Sequence, residues 1–98
     1  MLLDRKLVLC RYYGKKQNVF SDAEIINGSL SIRVEISKEN SPGSDITILF
    51  FDEINTRKIF SLVKIKDFVD EFYGVEGLKK FNRFCRNNSI KSKMKKVR

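Results

Sequence analysis

The sequence predicts an α+β domain: an antiparallel β-meander of four or five strands followed by two C-terminal helices packed on one face, with a basic disordered tail. Three observations lead there. Asn27-Gly28 lies between two strand-like segments, and this pair accepts the positive φ angles of a type I′ turn, whose twist matches that of a hairpin. Apolar residues alternate with a period of two before Ile65 and follow a helical period after it. The order of strands first and helices after, with short connections, is that of an α+β domain rather than of alternating βαβ units.

Residues 7–13 (LVLCRYY) are β-branched and aromatic enough for a strand, and 14–18 (GKKQN) form a loop. The first arm of the hairpin includes Ala23, Glu24, Ile25 and Ile26. In the second arm Leu30, Ile32, Val34 and Ile36 point one way and Ser31, Arg33, Glu35 and Ser37 the other, so one face is buried and one is wet. Residues 38–45 (KENSPGSD) are a loop. Residues 46–51 (ITILFF) are apolar on both faces, which implies a central strand covered on both sides or one whose outer face meets a partner. Phe50 and Phe51 face opposite sides: one joins the core, and the other needs a cover from the N-terminal strand, a helix or a second molecule. Residues 52–56 are expected to turn the chain, and 58–64 (KIFSLVK) to form another strand.

Ile65, Phe68, Val69 and Phe72 then fall on one stripe of a short helix, closed by Gly74 at its C′ position. Residues 75–86 predict a second helix with Leu78, Phe81, Phe84 and Cys85 inward and Lys79, Arg83 and Arg86 grouped on the opposite side. Asn87-Asn88 stops it. The domain is thus placed at 1–87 and a basic flexible tail at 88–98.

A chain of 98 residues supports one core. The formal net charge is +8 and is unevenly spread: residues 79–98 carry nine cations and no acid. Charge polarised in this way attracts polyanions. No secretory leader or membrane-spanning run is expected, because charged residues interrupt every apolar stretch. Cys10 and Cys85 read as reduced, buried thiols of a cytoplasmic protein, since two cysteines make no disulfide framework.

The main candidate site is the basic end: Lys79, Lys80, Arg83, Arg86, Lys91, Lys93, Lys95 and Lys96. Such residues displace counterions from nucleic acid, and affinity then rises with the number of phosphates neutralised. A second cluster comprises Arg11, Tyr13, Lys15 and Lys16, in which bases can stack on exposed Tyr while cations hold phosphates. The carboxylates Asp52 and Glu53, and Asp67, Asp70 and Glu71, fall in a turn and on a solvated helix face, so no metal site is expected. The chain has no histidine, which removes the commonest general base and the usual zinc constellations. It has no phosphate-binding glycine loop, and no cofactor is predicted.

These features point to a small non-enzymatic protein that binds nucleic acid, either RNA or single-stranded DNA, through Lys/Arg contacts to phosphate. The order of four strands and a helix is similar to that of the small single-strand-binding coactivator fold, a likeness of element order. A second hypothesis is a viral or mobile-element inhibitor that docks on a nucleic-acid-bound host protein, such as a CRISPR effector or restriction enzyme. Its anchor would be the apolar strand face or a free sheet edge. A third is a small ribonuclease toxin working without histidine or metal, a reading weakened by helices that follow the sheet. A homodimer through a sheet edge is compatible with the same pattern.

Overall fold

The computed structural model describes residues 2–97. The chain runs β1 (Arg5–Tyr13), β2 (Gln17–Ile26), β3 (Ser29–Lys38), β4 (Asp45–Phe50), α1 (Glu53–Leu62), α2 (Ile65–Phe72), α3 (Gly74–Asn87) and β5 (Lys93–Val97). The strands form one antiparallel sheet in the order β1-β2-β3-β4-β5. The α+β meander followed by helices is therefore as expected, with three helices in place of the two predicted. So is the hairpin, with Asn27 at φ 51° and Gly28 at φ 79°.

Register explains which residues are buried. Ile25 pairs with Leu30, Ala23 with Ile32, Ser21 with Val34 and Val19 with Ile36, and this set faces the helices. A bulge between Val8 and Cys10 turns both Leu9 and Cys10 into the core, after which the alternation of β1 resumes. Above the sheet sits a phenylalanine cluster. The ring of Phe81 lies 5.0 Å from Phe72, 5.7 Å from Phe68 and 5.8 Å from Phe51, each edge to face. This is the favoured geometry for aromatic quadrupoles. Gly77 brings α3 against the end of α2: a Cβ there would lie 2.3 Å from the carbonyl carbon of Phe72, so only glycine fits.

Two expectations are corrected. Residues 58–64 are not a strand; they lie in and just beyond α1. Asp52 caps this helix, accepting from the Asn55 amide at 2.8 Å, and that bond holds its carboxyl below the usual range. Thr56 and Ile59, three residues apart, are buried, while Phe60 and Val63 pack against the core. Local β propensity loses here to a capped amphipathic turn. Thr56 also locks α1 onto the sheet. Its Oγ1 accepts from the Leu30 amide at 2.9 Å and donates to the Phe51 carbonyl at 3.3 Å.

The second correction concerns residues 88–98, expected to be a flexible tail. Ile90 is buried in the core, and its amide donates to the Cys85 carbonyl at 2.9 Å. The Lys91 amide donates to Asn55 Oδ1 at 3.1 Å. Beyond this anchor Lys93–Val97 pairs with β4, from Phe50↔Lys93 to Ile46↔Val97. Polar composition did not prevent a strand, because an edge strand needs only one backbone ladder and lysines suit an exposed edge.

Candidate functional site

The helices cover one face of the sheet and leave the other bare. Alternation and register set its occupants in cross-strand rows. One row runs Lys6, Glu24, Ser31, Phe50, Lys93; the next Val8, Asp22, Arg33, Ile48, Lys95; the next Arg11, Phe20, Glu35, Ile46, Val97. Tyr13 and Asn18 lie beyond. Neighbouring strands are about 4.8 Å apart and alternate residues about 6.7 Å apart along a strand. The rows therefore make a surface broad enough to hold an extended chain.

Aromatic and cationic groups interleave on this surface. Tyr13 is 80% exposed and Phe50 43% exposed, with Val97 also open to solvent. Ile46, Ile48 and Phe20 are half-buried. The Arg33 guanidinium lies over the Phe20 ring, 5.7 Å from its centroid. At the centre Asp22, with a side chain only 7% exposed, faces Lys6 Nζ at 3.5 Å and Arg33 Nε at 3.6 Å. Five cations (Lys6, Arg11, Arg33, Lys93, Lys95) share the face with three acids (Asp22, Glu24, Glu35). Lys6 and Arg33 are occupied by Asp22; Arg11, Lys93 and Lys95 make no close ion pair among the described residues, although, after the Asn55 hydrogen bonds, the Lys93 charge helps to lower the Asp52 pKa.

The predicted site residues divide into three groups. Arg11, Tyr13, Lys93 and Lys95 fall on the open face. Lys15 and Lys16 lie in the β1–β2 turn at its end, while Lys91 lies on the connection into β5 and Lys96 on the opposite side of β5. The helical cations stand on the other layer. Phe81 and Gly77 of α3 point inward, so Lys79, Arg83 and Arg86 face away from the sheet, while Lys80 lies on the flank of the helix toward α2. Lys79 pairs with Glu76 at 3.4 Å and Lys80 with Glu71 at 2.6 Å. Helix and strand cations thus form two surfaces rather than one continuous track. Arg98, counted with the basic stretch, lies outside the described residues.

Sequence reasoning missed Lys6, Phe20, Arg33 and Phe50 as site residues. A signal for Phe50 was present in the two-faced apolarity of β4. Phe20 and Arg33 become neighbours only through the β2–β3 register, where Asp22 pairs with Arg33 and Phe20 with Glu35.

The thiols belong to the fold. Burial raises Cys10 above its ordinary value and pushes Cys85 up to about 11. Among the described residues no group of His, Cys, Asp or Glu is placed to hold a metal ion, and no helix is long and apolar enough to cross a membrane.

The class this defines is a two-layer α+β protein with a five-stranded sheet open on one side. No protein-family model, curated protein or solved structure matches the chain.

Proposed function

We propose that the protein is a non-enzymatic binder of single-stranded nucleic acid and that the open sheet face is its binding surface. One observation carries this: Phe50 and Tyr13 stand exposed on an uncovered sheet face, Phe50 directly opposite Lys93 and one row from Lys95, and Tyr13 one row from Arg11. Aromatic side chains offer stacking platforms to any base, and flanking cations neutralise the backbone between them. A duplex hides its base faces and would meet only the charges, so single strands are favoured.

The test is a fluorescence-anisotropy titration of labelled single strands and duplexes with the protein and with Phe50→Ala and Tyr13→Ala variants. Each truncation is expected to weaken single-strand binding by about 1–3 kcal/mol and to leave duplex binding nearly unchanged. Equal loss on both substrates, or none on either, would remove the stacking role.

A second reading draws on the apolar run of Ile46, Ile48, Phe50 and Val97 across β4 and β5. This run suits docking on a host protein that itself carries nucleic acid, with Lys93 and Lys95 reaching the bound strand. Absence of binding to free oligonucleotides, with retention on such a complex, would favour it.

A further inference from the structure

A depression of about 210 Å³ lies at the centre of the open face, lined by Lys6, Asp22, Glu24, Ser31, Arg33, Ile48 and Phe50. It exists because the small Ser31 sits in register between Glu24 on β2 and Phe50 on β4. Its volume is below that of a pocket for a drug-sized ligand and suits one planar group. Phe50 and Ile48 make an apolar wall on β4, and the carboxylates stand two strands away, about 10 Å across the sheet.

Lys6, Asp22 and Arg33 form an ion-paired group on one side of this depression, and Glu24 stands outside it. Both cations pair with the Asp22 carboxylate, at 3.5 and 3.6 Å, longer than an ordinary charge-assisted hydrogen bond. Arg33 Nε is buried and has no hydrogen-bond partner. Glu24, half-buried on the rim, has no ion-pair partner among the described residues. An unpaired carboxylate on the rim is a free acceptor for a donor group that enters the depression.

Resting on the single-strand reading above, we propose that this depression is a subsite for one nucleobase bearing an exocyclic amine, with cytosine as the probe that fits it. The ring packs against Phe50. The amine donates to the carboxylates of Glu24 and Asp22, as acids accept from the cytosine N4 amine elsewhere. The ring acceptors meet the Lys6 ammonium. Uracil and thymine present a carbonyl where the amine would be, so their oxygen faces a carboxylate and is repelled.

The experiment compares labelled oligocytidine and oligouridine of equal length by anisotropy at low salt, with the protein and with Glu24→Ala and Asp22→Asn variants. The unsubstituted protein is expected to hold oligocytidine about fivefold or more tightly than oligouridine. Glu24→Ala should erase most of that preference while leaving oligouridine binding equal or tighter, because a negative charge has gone. A purely structural role for Glu24 would weaken both alike. Binding of both oligomers within about twofold overturns the subsite and leaves the single-strand reading standing. A preference that survives in both variants also overturns it, by placing readout elsewhere. No binding to either oligomer sinks both.

Discussion

Replacing Lys93 and Lys95 together by Gln removes two of the three unpaired cations on the open sheet face, leaving Arg11. Both side chains are exposed, and Gln keeps the β5 backbone ladder, so the fold should be unaffected. Single-strand affinity falls with the logarithm of salt at about −0.7 per phosphate neutralised. Three contacts give a slope of about −2, hence about 20-fold weaker binding on going from about 50 to 200 mM salt. With Arg11 alone the slope should flatten to about −0.7 and the same change in salt should cost about 2.5-fold. Anisotropy titrations of a labelled single strand at several salt concentrations measure this, with circular dichroism as the check on folding. The matching control is Arg83→Gln with Arg86→Gln on α3, expected to leave the slope as it was. If the strand pair leaves the slope unchanged and the helix pair flattens it, the binding surface is the outer side of α3 and the sheet-face assignment is refuted.

Phe81→Ala empties the middle of the phenylalanine cluster and should destabilise the domain by about 3–5 kcal/mol in urea unfolding. Thr56→Val keeps the shape of the side chain but strands the buried Leu30 amide. It should cost about 1–3 kcal/mol, and a neutral result would show that the α1 lock contributes nothing. Cys85 should resist alkylation near neutral pH, because the thiolate is scarce when burial lifts its pKa to about 11. The unfolded thiol ionises first, so stability is unaffected below its ordinary value and falls as pH rises from there toward about 11. Cys85→Ser should soften that alkaline decline in thermal melts recorded across the range.

Much of the fold was legible because its signals are local. Asn27-Gly28 fixes a turn, the alternation of β3 fixes its inward face, and the stripe of Ile65, Phe68, Val69 and Phe72 fixes α2. What failed was local too, but ambiguous. KIFSLVK carries β-forming side chains, and the Asp52 cap with the burial of Thr56 and Ile59 carries a helix from Glu53 through Leu62, well into that segment. β5 was invisible because a strand of mostly lysines has no hydrophobic pattern; its position follows from β4 lacking a neighbour and Ile90 holding the chain in place. The candidate site was half legible. Arg11, Tyr13, Lys93 and Lys95 stand out by type, whereas the company they keep depends on register and on which face the helices leave open. The α3 cations were equally conspicuous and lie on the opposite layer.

The anchoring of Ile90 beneath α3 changes how a truncation must be interpreted. Cutting the chain after the last helix looks like a clean way to strip away positive charge. It would also pull an apolar plug from the interior and bare the hydrogen-bonding edge of an isoleucine-rich strand, inviting copies to zip together. Loss of solubility in such a fragment would say nothing about its appetite for polyanions, so charge has to be subtracted one side chain at a time.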